Sequence, residues 1–308
     1  MKPFISVIIP NYNHAQYLDE RIQSILNQTY QNFELIILDD ASTDESIDVI
    51  NKYRNDKHIS AIIANKENSG STFKQWEKGI SVANGELIWI AESDDSCSPN
   101  QLEILVDNYL RTPNCSISAC WSIHINRDGQ VCGRKKRPKG YVMYKSEDFI
   151  KRFMFAYNYI ENAGQAIFPK QLYSQIDKSF MDFKACGDML FWIEIARRGN
   201  ICIEQKQLNF FRRYDEVVSN RKMRDGTSLK ENKRIIDYLI QNGYLKGFRL
   251  KVALGFYWDK IFLEKFENPN IQKELKQLWN APKHWLCMNV IYARFYQFLR
   301  ARFEYFYL

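Results

Sequence analysis

The chain has 308 residues, 45% hydrophobic and 15% aromatic, enough to bury a core without covalent staples. Its seven cysteines are odd in number and contain no CxxC pair, which argues against a disulfide framework or a zinc cluster and suits a reducing compartment. The net charge of +7 comes with no DNA- or RNA-binding motif, so phosphates of a small ligand or an anionic membrane surface explain it as well as nucleic acid does.

The first apolar run, Phe4 to Ile9, is interrupted by Ser6 and stopped by Pro10, too short for a signal-peptide core or a membrane span. No later segment reads as a span, and the cytoplasm is the expected location. That run predicts a buried strand, and Pro10-Asn-Tyr-Asn13 turns out of it into a helix carrying Leu18, Ile22, Ile25 and Leu26. Phe33 to Leu38 predicts a second strand ending in Asp39-Asp40, after which Ser42-Thr-Asp44 cap a helix with Ile47, Val49, Ile50 and Tyr53. Ile59 to Ala64 is a third strand, Asn68-Ser-Gly70 a loop, Phe73 to Val82 a helix, and Glu86 to Ala91 a fourth strand ending in Glu92, Asp94 and Asp95. Alternation of this kind predicts a mostly parallel sheet with right-handed crossovers.

Three of these strands end in polar groups: Asn11, Tyr12 and Asn13; Asp39 and Asp40; Glu92, Asp94 and Asp95. An isolated acidic triplet is more often a solvated turn or a helix cap, but three polar endings on one sheet edge describe a pocket. Carboxylates there suit a hard divalent cation, Mg²⁺ or Mn²⁺. No Gly-x-Gly-x-x-Gly or Walker-type loop follows a strand, so phosphate would be held by metal and side chains.

Further on, Leu102, Leu105, Val106 and Leu110 mark a helix and Ile117 to Ile125 a strand. Asn126-Arg-Asp-Gly129 reads as a type I′ hairpin turn into a returning strand with the basic run Arg134 to Lys139. That run is a solvated edge or, as the sharper reading, a contact for a phosphate-rich acceptor. Cys186 to Ala196 is an apolar helix with Asp188 at its start. From about residue 229 the motifs stop and helical patterning takes over. In the last stretch Trp285, Tyr292, Phe295, Leu299, Phe303 and Phe306 share a stripe beside Arg294, Arg300 and Arg302. A stripe at helical spacing is usually core or a subunit contact, with a helix lying in a membrane interface as the second reading.

Ser6-Val-Ile-Ile-Pro-Asn-Tyr-Asn13, Phe33-Glu-Leu-Ile-Ile-Leu-Asp-Asp-Ala-Ser-Thr-Asp44, and Gly85-Glu-Leu-Ile88 leading into Glu92-Ser-Asp-Asp95 together resemble the family 2 glycosyltransferases of GT-A fold. The resemblance is dense over the first part of the chain and thins toward residue 220. It implies an α/β domain over 1–225, with a nucleotide-binding half (1–98), an acceptor-side half (99–225) and a Rossmann-like sheet flanked by helices; a helical appendage follows over 226–308. It implies that Pro10, Tyr12 and Asn13 border the nucleotide and that Asp39 accepts a hydrogen bond from the base, usually uracil. Asn68 and Lys74 lie where the family touches the nucleotide. Glu92-Ser93-Asp94 stands for the Asp-x-Asp metal signature, with Asp94 the surest ligand for Mn²⁺ or Mg²⁺, then Glu92 and Asp95. Tyr159 to Phe168 resembles the strand lining the acceptor side.

Asp188 matches the last acid of the family's Glu-Asp pair, the general base, although position 187 is Gly; an N-cap aspartate is the plainer alternative, and Asp182 and Glu194 are weaker candidates. Arg212 lies in the segment that approaches the diphosphate, with Tyr214 where the family usually has His. The implied activity is inverting transfer of a sugar from a nucleotide-diphosphate donor, UDP preferred, to a hydroxyl of a glycan or lipid-linked glycan, at the inner face of the membrane if the last helices dock there. A non-catalytic nucleotide-sugar-binding module and a nucleotidyltransferase of related fold are the alternatives. Homo-oligomerisation is compatible with the terminal stripe.

Overall fold

The computed structural model describes residues 2–132, 140–213 and 218–302. The basic run Arg134 to Lys139, Tyr214, Phe303 and Phe306 lie outside the described residues. The strands are β1 (Ile5–Asn11), β2 (Phe33–Asp39), β3 (Ile59–Ala64), β4 (Leu87–Ile90), β5 (Ser96–Cys97), β6 (Cys115–Ile125), β7 (Tyr141–Tyr144), β8 (Ala166–Pro169) and β9 (Asn200–Arg212). The helices begin with α1 (Ala15–Leu26), α2 (Ser46–Asn51), α3 (Thr72–Val82), α4 (Gln101–Arg111), α5 (Ser146–Phe153) and α6 (Lys170–Tyr173). They continue with α7 (Gly187–Ala196), α8 (Val218–Arg224), α9 (Thr227–Gln241), α10 (Gly247–Leu263), α11 (Pro269–Leu278) and α12 (Met288–Arg302).

Two compact units divide the chain. The first comprises Met1–Ser146, Asn162–Met181 and Glu194–Tyr214, and the second Glu147–Glu161, Asp182–Ile193 and Asp215–Leu308. This division differs from a boundary after residue 225, because segments far apart in sequence pack together in each unit, which the linear texture of a chain does not display.

The first unit holds the whole sheet, in the order β3-β2-β1-β4-β8-β6-β9-β5, with β7 also paired to β9. The first four strands are parallel, as the βα alternation predicts, and beyond β4 the sheet is mixed: β8 runs antiparallel to β4 and β6, while β6 and β9 are parallel. β1, β2 and β4 are buried along their full length, which suits uninterrupted β-branched runs covered on both faces. Leu18, Ile22 and Ile25 of α1 pack against that core with Val7, Ile9, Leu35 and Ile37. Two glycines permit close approach: a Cβ on Gly79 of α3 would meet Ile8 Cγ2 at 2.5 Å, and one on Gly85 would meet the Ser6 nitrogen at 2.4 Å. No larger residue fits either place without moving β1.

Three local expectations are corrected. Only Gly129 in the turn after β6 has positive φ (78°), so the turn is not type I′, which requires two such residues. Among the described residues the chain returns through the antiparallel bridge Ile125 to Val131, and β7 pairs with β9 rather than with β6. The segment 159–168 is not one strand: Asn162 caps a short 3₁₀ turn, Ala163–Gln165, and only Ala166–Pro169 joins the sheet. The Asn162 side chain draws the chain out of extended geometry by accepting from the Gly164 N–H at 2.9 Å.

The second unit is helical among the described residues. Val252, Ala253, Phe256 and Ile261 of α10 and Val290, Ala293 and Tyr296 of α12 are buried. No helix among the described residues is long and apolar enough to cross a membrane.

Candidate active site

Because β2, β1 and β4 are parallel neighbours, their carboxyl ends emerge side by side. Asn11 stands in register with Asp39, and the Ala91 N–H donates to the Ile8 carbonyl. Side chains stitch these ends together. Asn11 Nδ2 donates to Asp39 Oδ1 at 2.8 Å, and the Ser42 hydroxyl donates to the same oxygen at 2.6 Å. The Ser42 N–H donates to Asp39 Oδ2 at 2.9 Å, so Asp39 does serve the turn through Ala41, whose φ is +60°. The carboxylate keeps capacity for one further donor, and beside it Asn11 Oδ1 is buried with no donor among the described residues. Asn13 holds the facing loop by accepting from the Thr43 N–H at 2.7 Å, and Tyr12 between them is exposed while Pro10 is buried.

Asp40, read from the sequence only as one of the polar strand endings, organises the next loop. Its carboxylate accepts from Asn65 Nδ2 (2.6 Å), the Ser69 N–H (2.9 Å), the Ser69 hydroxyl (2.8 Å) and Gln75 Nε2 (2.8 Å). Asn68 donates to the Asp40 carbonyl at 3.0 Å and Lys74 Nζ, from the first turn of α3, to the Ser69 carbonyl at 3.2 Å, so both are tied to the loop that Asp40 fixes from below. Both are exposed.

At the end of β4, Glu92 and Asp94 are half-buried on either side of buried Ser93, whose Oγ lies 2.8 Å from His14 Nδ1. Trp76 of α3 donates from Nε1 to Glu92 Oε1 at 3.2 Å. The β1 loop and the β4 turn are therefore in contact, and the polar ends of β1, β2 and β4 form one continuous edge. Among the described residues no three His, Cys, Asp or Glu side chains gather closely enough to hold a metal ion unaided. Two carboxylates of this hard, oxygen-only type fit Mg²⁺ or Mn²⁺ when diphosphate oxygens complete the coordination sphere.

Asp95 and Arg212 occupy places other than those expected. Asp95 is fully buried, accepting from Asn162 Nδ2 at 2.6 Å and from the Arg212 N–H at 2.7 Å. Burial pushes its carboxyl well above the ordinary range and the neighbouring Asp94 charge adds to this, while the Arg21 guanidinium opposes it. Asp95 is an internal anchor, with both carboxylate oxygens engaged within the protein. Arg212 is 2% exposed: its Nε donates to the Asp94 carbonyl at 2.7 Å, its Nη1 to the carbonyls of Asn126 (3.1 Å) and Arg127 (2.9 Å), and its Nη2 to Glu20 at 2.6 Å. The guanidinium also lies over the Tyr17 ring, 4.5 Å from its centroid. With every nitrogen committed, Arg212 clamps the Asp94 turn instead of meeting a phosphate. A buried arginine and an exposed one look alike in sequence.

In the second unit, Asp188 sits in the first turn of α7, half-buried, where the helix terminus favours negative charge. Asn158 Nδ2 donates to its Oδ2 at 2.7 Å. Desolvation pushes the carboxyl up to about 6, with the Met189 N–H and Asn158 acting against it. The turn before α7 hangs on a residue that no motif marked: Glu231 of α9 accepts the N–H groups of Lys184 (2.6 Å), Ala185 (2.9 Å) and Cys186 (2.9 Å). The other acid considered on that helix, Glu194, is buried and paired with Arg197 and Arg198 at 2.9 Å each, a structural role.

The model of Glycosyl transferase family 2 matches residues 6–176. The chain belongs to this family. An uncharacterized glycosyltransferase of Haemophilus influenzae is 30% identical over 232 residues, covering 71% of this chain and 68% of that protein. A Bacillus subtilis glycosyltransferase named for teichuronic acid biosynthesis, TuaG, is 31% identical over 117 residues, covering 38% of this chain and 46% of its own length. The first three curated relatives are spanned to between 32% and 68% of their lengths. Among solved structures, S. aureus TarS 1–349 in complex with UDP-GlcNAc superposes with a TM-score of 0.61 at 19% identity, over 84% of this chain and 72% of the TarS chain. The family 2 chain thus has the GT-A type of α/β fold followed by a helical C-terminal region.

Proposed function

We propose that this family 2 glycosyltransferase moves one sugar, with inversion, from a UDP-linked donor to a hydroxyl of a cell-surface glycan or lipid-linked glycan on the cytoplasmic side of the membrane. The observation that carries the reading is the single polar edge formed by Asn11, Asp39, Glu92 and Asp94 at neighbouring strand ends. Ligands of open α/β sheets bind at such edges. Asp39 has acceptor capacity and Asn11 Oδ1 an open lone pair for the imide N–H of uracil, with Pro10, Tyr12 and Asn13 as the adjoining wall, Asn68 on the next loop and Lys74 at the start of α3. A divalent cation held by Asp94 and Glu92 would neutralise the leaving diphosphate. Asp188, with a carboxyl that titrates near about 6, is suited to take the acceptor hydroxyl's proton as that oxygen attacks the anomeric carbon. The donor class draws support from TarS, which binds UDP-GlcNAc, and the acceptor class from TuaG, named for teichuronic acid synthesis.

The test measures UDP release from a panel of UDP-sugars with Mn²⁺ or Mg²⁺, with and without acceptor glycans, for wild type and Asp188→Asn. Acceptor-stimulated release that is lost in Asp188→Asn and abolished by chelator is expected. Donor binding without turnover across the panel would replace this reading with that of a binding module.

A further inference from the structure

Helix α12 is buried on one side only. Val290, Ala293 and Tyr296 pack inward, and Gly255 of α10 brings the two helices together so closely that a Cβ there would lie 1.8 Å from the Asn289 carbonyl oxygen. Trp285 Nε1 donates to Asp259 of α10 at 2.7 Å, and Arg294 lies over the Trp285 ring while pairing with the same aspartate at 3.1 Å. The orientation of α12 is therefore fixed along its first half, and its other side is presented outward. That side carries Met288, Ile291, Phe295 and Phe298, at spacings of three, four and three, which place them on one face. Phe295 and Phe298 are 59% and 60% exposed, and Leu286, just before the helix, is 69% exposed. Phe248, at the start of α10, extends the patch through an edge contact with Tyr292 at 5.1 Å. The sequence stripe drawn through Tyr292 and Leu299 is thereby rotated: the outward line runs through Ile291 and Phe298.

The charge around this face is predominantly basic. The segments 246–260 and 283–302 contain Lys246, Arg249, Lys251, Lys283 and Arg294 among their basic residues and one acid, Asp259, which is neutralised by Arg294; Glu147 lies near Lys246. Large apolar side chains on one face of a helix, framed by an excess of cations, match the boundary between acyl chains and anionic headgroups. A second copy is the poorer occupant, since a two-fold contact would set two basic faces against each other.

We propose that the outward face of α12, with Phe248, docks this protein on an anionic lipid surface, lying in the headgroup plane. The contact combines insertion of Phe295, Phe298, Ile291 and Met288 with attraction of Lys246 and Lys251 to the surface. It does not depend on the donor or metal assignments.

The experiment is flotation of the full chain with vesicles of phosphatidylcholine alone or containing phosphatidylglycerol, at low and high salt, alongside sedimentation velocity without lipid. Binding is expected only to the phosphatidylglycerol vesicles, weakened by salt. Phe295→Ser with Phe298→Ser should reduce the partition coefficient by about 100-fold, and Lys246→Glu with Lys251→Glu by about 10-fold or more. Both pairs are solvent-exposed, so circular dichroism should report unchanged folding. Absence of binding to anionic vesicles overturns the proposal. So does a lipid-free dimer that the double serine variant dissociates, which would make the face an interface between copies. Equal binding by wild type and both variants would likewise remove this face from the contact.

Discussion

Arg212 Nε donates to the main-chain oxygen of Asp94 at 2.7 Å, while the Arg212 N–H donates to the carboxylate of Asp95 at 2.7 Å. One residue at the end of β9 thus holds both halves of the turn that ends β4. Replacing Arg212 with Ala removes a buried donor from the carbonyls of Asp94, Asn126 and Arg127, of which Asn126 keeps the Gly129 N–H. A loss of about 3 kcal/mol in stability is expected by urea unfolding, with no share assigned to the half-exposed Glu20 pair. Lysine keeps the charge but not the fork, so Arg212→Lys should recover less than half of this. If Arg212 instead contacted phosphate, donor affinity would fall while stability held.

Asp94 and Asp95 are adjacent and carry the same charge, yet they should respond in opposite ways. Asp94→Asn should lower Mn²⁺-dependent UDP affinity by about tenfold or more, read by calorimetric titration, with little change in melting temperature. Asp95→Asn should leave metal dependence intact and cost about 1–3 kcal/mol. Its new amide would face Asn162 Nδ2, a donor that cannot turn away because Asn162 Oδ1 already accepts from Gly164 and Asn209.

The Asp188 carboxyl titrates near about 6, so an activity that needs its anion should fall tenfold per pH unit below that value. Removing the Asn158 donor withdraws a bond that favours the ionised form. Asn158→Ala should therefore move the acidic limb of kcat/KM to higher pH. The stability sign runs the other way. A carboxyl raised above its unfolded value opposes folding where it is ionised, so stability is lost as pH rises through about 6, and Asp188→Asn should raise the melting temperature at pH 8 but hardly at pH 4.

Glu231 offers two oxygens to three backbone N–H groups, and glutamine offers one. Glu231→Gln should lower stability by about 2 kcal/mol and reduce kcat while the affinity for UDP stays at the wild-type value. Thermal melts and a comparison of kcat with UDP titration separate the two effects.

Strand existence and order of polarity along the first part of the chain were written locally. Ile5–Ile9, Phe33–Leu38 and Leu87–Ile90 are buried runs with β-branched residues, and such runs followed by Asn, Asp or Glu announce parallel strands with a ligand edge whatever surrounds them. The helices of the C-terminal region were equally visible from their spacing. The second half of the sheet was not, because β8 is too short to show alternation and its neighbours β4 and β6 lie far away in sequence.

Composition and order of residues therefore determined the fold type and the family. What each charged group does was decided by tertiary packing. Asp94 and Asp95 differ only in which way the turn directs them, Arg212 is a clamp because β9 ends beneath that turn, and Phe295 faces outward because Gly255 seats α12 on its opposite side. Burial and hydrogen-bond partners are properties of neighbours brought together from distant parts of the chain, and they set whether a carboxylate is an anchor or a site.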